Sequence, residues 1–281
     1  MITRILTPLD GTATAEAALH WAEHAARRSG AAIKLITIVD SDTNANGKRK
    51  KVEAYLESHQ KHLLSRALAA EYEVLSGPPA EIIVGQAARA DLTVLTSGTT
   101  RWLISPVLDK VLMNITSPVV IVRAKPGSDA ADVPVDKVLV AVDQNSYSAD
   151  IVPVAERVAK AFDASIVLCH TMAPVGDHRD AADAPPGVAN ALEGMKREAT
   201  SLVSDIARDI HEAGISVEAI LSVGDPAVEI VQAAKKVGAG LIAMTTRGRE
   251  HLDSRVTGSV SNSVLHSTHL PCLLVRHANG A

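Results

Sequence analysis

Apolar residues come in short continuous runs, separated by longer stretches of mixed polar and small residues. Residues 5–9 form one such run, closed by Asp10, and residues 138–142 form another, closed by Asp143. Turn and capping residues follow each, Gly11-Thr12 in the first case and Asn145-Ser146 in the second. Ala-rich helical stretches come next, at 15–28 and 149–162, and then second apolar runs at 33–39 and 165–170. Short apolar runs bounded by turns and alternating with helices predict parallel strands joined by helical crossovers.

The pattern is written twice. Residues 1–39 lie over residues 134–172 without a gap, so that Leu9-Asp10 falls on Val142-Asp143 and Ala22-Glu23 on Ala155-Glu156. Further along, Gly77-Pro78-Pro79-Ala80 matches Gly224-Asp225-Pro226-Ala227, and Ser117-Pro118-Val119-Val120 matches Leu270-Pro271-Cys272-Leu273. Each copy continues with a longer polar helix (52–68; 188–211), a strand (72–75; 215–221), a Gly-x-Pro turn, a helix (80–89; 227–237) and a fourth strand (92–96; 241–245). A loop, a helix and a last strand (119–123; 272–276) complete it. The fold expected is α/β: two tandem doubly wound parallel-sheet domains of five strands and four helices each. Residues 1–125 form the first domain and 135–281 the second, joined by a Pro-, Gly-, Ser-, Asp- and Ala-rich linker at 126–134. The 281 residues suit two domains at about 100–200 residues each.

Composition narrows the partners. The chain is 47% hydrophobic but only 2% aromatic, which leaves few platforms on which single-stranded bases could stack. A net charge of -4 gives no general field for a phosphodiester backbone, so nucleic acid is not an expected partner. The run Lys48-Arg49-Lys50-Lys51 reads as the solvated start of a helix. No apolar run approaches the roughly 20 residues of a membrane helix, and Asp10 arrives too early for a signal-peptide core. Cys169 and Cys272 sit singly in strand-like runs and read as buried thiols. A cytoplasmic location is expected.

In an open parallel sheet, ligands bind at the C-terminal strand ends, where strand order reverses. Asp10, Asp143 and the loops after the fourth strands fall at that edge. In the second copy the loop reads Thr245-Thr246-Arg247-Gly248-Arg249, and nine residues separate Gly248 from Gly258. Gly258-Ser259 immediately precedes a helical stretch. Glycine permits close approach of backbone to a phosphate, and a helix start offers free N–H donors and a positive dipole end. Arg247 or Arg249 could supply charge, and Asp143 is an acceptor suited to paired ribose hydroxyls. These residues suit phosphate and ribose; equally, Gly258 and Ser259 could simply start the helix.

On these residues, both copies resemble the universal stress protein family, in its tandem form, over nearly the whole chain. The resemblance implies an adenine-nucleotide alpha-hydrolase-like fold. The family's nucleotide-binding branch carries Gly, two residues, Gly, nine residues, then Gly-Ser or Gly-Thr. Gly248, Gly258 and Ser259 match the last three positions, while Thr245 stands in place of the first glycine. The resemblance implies that Ala141, Asp143, Thr171, Met244, Thr245, Gly248, Arg249, Gly258, Ser259 and Val260 surround ATP. ADP and AMP are the related ligands, and Mg is the metal that would accompany them. If residue 245 needs a left-handed backbone, threonine costs roughly 1–2 kcal/mol more than glycine there; in an ordinary strand it is harmless.

The first copy departs further. Its loop, residues 96–104, is about three residues shorter than its counterpart, and Ser105-Pro106 replaces Gly258-Ser259. Ser105 makes a good N-cap and Pro106 a good first helical residue, but proline lacks the N–H a phosphate would use. Asp10 is expected to organise the turn into the first helix, and Trp102 could fill the crevice. No nucleotide is expected in this copy.

Other motifs are set aside. His20-Trp21-Ala22-Glu23-His24 spells a zinc-protease pattern, but its duplicate keeps only the glutamate, Glu156. His266, His269 and Cys272 have ligand-like spacing on elements that alternate or turn. His170 reads as a satisfied strand-edge histidine. No P-loop, no dinucleotide fingerprint and no convincing nucleophile–base pair occur. The function expected is a stress-response regulatory module holding an adenine nucleotide in the C-terminal domain. The alternatives are a slow ATPase, or a scaffold acting through protein contacts without nucleotide. The resemblance also implies that residues 118–123 and 271–276 pair with each other. A homodimer of tandem chains and an unidentified protein partner are expected besides.

Overall fold

The computed structural model describes residues 1–39, 46–97, 105–123, 134–144, 150–246 and 259–277. Those residues form ten strands and eight helices, five strands and four helices from each sequence copy. In the first copy these are β1 (Arg4–Pro8), α1 (Ala13–Ser29), β2 (Ala32–Val39), α2 (Asn46–Ser65), β3 (Ala70–Ser76), α3 (Pro79–Ala87), β4 (Leu92–Ser97), α4 (Pro106–Asn114) and β5 (Val119–Arg123). The second gives β6 (Lys137–Ala141), α5 (Val152–Phe162), β7 (Ser165–Met172), α6 (Pro186–Glu212), β8 (Val217–Val223), α7 (Pro226–Val237), β9 (Leu241–Thr246), α8 (Ser259–Ser267) and β10 (Cys272–Arg276).

The chain divides into two compact units. Unit 1 gathers the described residues of Met1–Pro134 with Thr246 and those of His269–Ala281; unit 2 gathers those of Val135–Thr245 with Ser259–Thr268. The strand order is β3-β2-β1-β4-β5-β10 in unit 1 and β9-β6-β7-β8 in unit 2. In unit 1, β1 lies between β2 and β4, both parallel to it. In unit 2, β6 lies likewise between β7 and β9. The last strand β10 runs antiparallel to β5, with Leu273 opposite Val120, which is the pairing that the family resemblance implies. Covering β5 in this way removes an apolar edge.

Burial explains the sequence pattern. Central strands carry helices on both faces and so read as continuous apolar runs. Ile5, Leu6 and Thr7 of β1 and Leu92, Thr93 and Val94 of β4 are all fully buried. The peripheral strands β3 and β8 are half-buried instead. Helix starts follow local chemistry: the Thr12 hydroxyl accepts from Ala15 N at 3.2 Å to cap α1, and Asp225 caps α7 through Val228 N at 3.0 Å. Gly238, at φ 68°, closes α7 in the left-handed conformation that glycine adopts without strain.

Candidate functional site

The site in unit 2 grows out of strand order. β6 has β7 on one side and β9 on the other, so the crossovers leaving its C-terminal end diverge there. Ala141 ends β6 opposite Cys169 of β7, and the β6–β9 register, continued by one residue from Val140 opposite Ala243, sets Ala141 level with Met244. Asp143 follows, half-buried, beyond the end of β6. Thr171 and Thr245 occupy the ends of the neighbouring strands. Thus Ala141, Asp143, Thr171, Met244 and Thr245 share one sheet edge. Val260 lies in the first turn of α8, half-buried, and Ser259 is that helix's first residue. Gly248, Arg249 and Gly258, with Arg247 and the side chain of Ser259, lie outside the described residues.

Thr245 resolves the two cases left open by the sequence. It lies within β9, and among the described residues only Ala67 and Asp163 are non-glycines with positive φ. Threonine at 245 therefore carries no left-handed strain.

Two hydrogen bonds organise this edge from β7. The ring Nδ1 of His170 donates to the carbonyl of Val142, immediately before Asp143, at 3.0 Å. A carbonyl only accepts, so Nδ1 carries the proton. The ring is 3% exposed. On the opposite face of β7, Thr171 Oγ1 lies 3.0 Å from Ser222 Oγ of β8. Ser222 was not picked out from the sequence. The signal available was register, because it lies directly opposite Thr171 in the β7–β8 ladder.

Unit 1 presents a different edge. Asp10 Oδ1 accepts from both Thr12 N (2.9 Å) and Thr12 Oγ1 (2.6 Å), so that carboxylate oxygen is spent on the turn into α1. Ser105 caps α4 by accepting from Leu108 N at 3.1 Å, and Pro106 takes the first helical position. Trp102 lies outside the described residues. The remaining motifs have structural surroundings. Glu23 is buried against Arg27 Nη2 (2.6 Å) and Arg66 Nη1 (2.7 Å). The basic run occupies the first turns of α2, where Arg49 pairs with Glu53. Burial pushes the Cys169 thiol up to about 11 and the Cys272 thiol up to about 12. Among the described residues, no three His, Cys, Asp or Glu side chains gather as a metal site, and no helix is long and apolar enough to cross a membrane.

The sequence profile of the universal stress protein family matches this chain twice, over residues 1–123 and 134–276. The chain belongs to the universal stress protein family. Universal stress protein MJ0531 of Methanocaldococcus jannaschii is 28% identical over 148 residues, covering 50% of this chain and 81% of that one. Universal stress protein YxiE of Bacillus subtilis is 28% identical over 146 residues, 50% of this chain and 99% of its own. A solved universal stress protein from Archaeoglobus fulgidus superposes with a TM-score of 0.78 at 20% identity, covering 98% of each chain. This last likeness concerns the fold. Both of these sequence matches cover half of this chain, in keeping with its two matches to the family profile.

Proposed function

We propose that this protein is a regulatory module that binds an adenine nucleotide, ATP foremost with ADP and AMP as related ligands, in its second repeat. The observation that carries the reading is the position of Asp143, at the C-terminal end of β6 between β7 and β9. A carboxylate there offers acceptors to both ribose hydroxyls. Phosphates would meet Gly248, Gly258-Ser259 and the N–H groups at the start of α8, where the helix dipole favours negative charge. Arg249 would add charge, Mg would accompany the phosphates, and Ala141, Thr171, Met244 and Val260 would bound the adenine end.

The first repeat supports the same reading by contrast at its helix start. There Pro106 removes an N–H from the helix that would face a phosphate.

Thermal melts of the full chain with Mg-ATP, ADP and AMP test the proposal. Nucleotide at 100 times its dissociation constant should stabilise by about 2.7 kcal/mol. The shift should vanish in Gly258→Asp, whose carboxylate would meet phosphate, and shrink in Asp143→Ala, while Asp10→Ala should leave it unchanged. No shift in the folded wild-type chain would sink the reading. Multiple turnovers that depend on Asp143 would replace it with an ATPase.

A further inference from the structure

Both units end in an unpaired strand, and the two free edges differ. A parallel ladder points alternate residues' backbone groups inward and outward. In unit 1, Ile33 N donates to Ala69 O, which sets the phase: Ala70, Tyr72 and Val74 of β3 turn theirs away from β2. Two of these outward carbonyls are already taken. Gln60 Nε2 donates to Ala70 O at 2.9 Å and Arg49 Nη2 to Val74 O at 3.3 Å, both from α2. The sequence of β3 also resists self-pairing, because an antiparallel pair centred on the strand would set Glu73 against its own copy.

In unit 2, Ile166 N donates to Ser216 O, so Val217, Ala219, Leu221 and Val223 of β8 turn their N–H and C=O groups outward. Among the described residues no side chain caps them, and β8 ends the strand order of its unit. Val217, Ile220, Leu221 and Val223 are half-buried, and Glu218 is the strand's one charged residue. Exposed apolar edges of this length, without proline, are templates for another strand.

We propose that β8 pairs antiparallel with β8 of a second copy of this chain. Centring the pair on Ile220 engages every outward residue: Val217 with Val223, and Ala219 with Leu221. These are the hydrogen-bonded pairs, each able to exchange two bonds. Ile220 then meets its own copy on the two-fold axis as a close, non-hydrogen-bonded pair, and Glu218 faces Ser222. No like charges oppose one another, and the apolar positions meet apolar ones. The partner is fixed by this self-complementarity, and the pairing requires nothing of the nucleotide edge.

Sedimentation equilibrium of the full chain, without nucleotide, tests the pairing. The wild type should dimerise. Ile220→Lys and Ile220→Glu should each weaken the dimer by about tenfold or more, and an equimolar mixture of the two should recover association. Ala219→Pro should weaken it as well, because it deletes an outward N–H and leaves the β7 ladder intact. Glu73→Gln, on the other edge, should change nothing. A wild-type chain that stays monomeric, including one that instead captures an extended peptide, overturns the proposal. So does a dimer indifferent to folded Ile220→Lys and Ala219→Pro chains.

Discussion

Thr37 and His170 occupy equivalent places in the two repeats and perform the same task with different chemistry. Thr37 Oγ1 donates to Leu9 O at 2.8 Å, and His170 Nδ1 to Val142 O at 3.0 Å. Each ties the second strand of its repeat to the carbonyl just before the strand-one aspartate. Both side chains are buried, so losing the donor leaves a carbonyl short of a partner in a dry place. His170→Leu should cost about 1–3 kcal/mol in urea unfolding. His170→Thr, which imports the first repeat's hydroxyl, should recover part of that loss if the bond is the cause. Equal losses in the two variants would assign the effect to ring volume instead.

Glu23 joins α1 to the residue that follows α2. Burial alone would raise its pKa, but the hydrogen bonds and charges of Arg66 and then Arg27 outweigh burial and lower it. A group with a depressed folded pKa stabilises the fold above its unfolded pKa, near 4.3 for glutamate, and the contribution fades as pH falls through the folded value. Glu23→Gln should therefore destabilise by roughly 1–3 kcal/mol at neutral pH, with the gap to wild type closing below about pH 4. Denaturant titrations at neutral and acid pH check this, and a gap independent of pH would refute it.

Much of this architecture was legible because local signals agreed with burial. The limits of β5 and β10 follow from prolines 118 and 271 just before apolar runs, and Ser105-Pro106 announced α4 through capping chemistry alone. The basic run from Lys48 to Lys51 was legible as the start of a helix, and α2 does begin there, at Asn46; what the run's missing apolar period hid is that Arg49 bonds to Glu53 and to the β3 edge. β8 begins two residues later than its apolar run, because Ile215 sits buried just after the turn at Gly214, whose φ is 81°. Asp143 was legible from its place after a strand, as was Asp10 from its turn. The contact of Thr171 with Ser222 was not, because it depends on register between strands far apart in sequence. Nor was the backbone of Thr245, which only the length of β9 decides.

Thr7 and Thr93 are fully buried in β1 and β4, and among the described residues neither hydroxyl has a hydrogen-bond partner. Their counterparts in the second repeat, Val140 and Ile242, are aliphatic. An unpaired buried hydroxyl costs about 1–3 kcal/mol by protein substitution data. Thr93→Val keeps the shape and removes the polar atom. It should raise the melting temperature by a few degrees, and Thr7→Val should do the same. A fall in either variant would reveal a partner for the hydroxyl that geometry does not show.

Cys169 and Cys272 are each 1% exposed, and burial holds both thiols well above their ordinary value. The reactive species is the thiolate. In the native protein neither should react with a disulfide reagent at neutral pH, and both should react at once in guanidinium. Rapid native labelling of either would mean that its strand opens on the timescale of the assay.

Thr245 stands where a nucleotide-binding universal stress protein would have glycine, yet β9 holds it in extended strand. If backbone strain were limiting nucleotide affinity, Thr245→Gly would tighten binding by about tenfold, the equivalent of 1.4 kcal/mol. The strand geometry removes that source of gain. Thr245→Gly should instead leave affinity within about twofold of wild type and lower stability by up to about 1 kcal/mol, since glycine weakens a strand interior. Calorimetric titration with Mg-ATP, paired with urea unfolding of the unliganded variant, separates the two quantities. A tenfold gain in affinity would mean that bound nucleotide draws residue 245 out of the strand, because only then does a left-handed or tightly approached backbone at this position favour glycine over threonine.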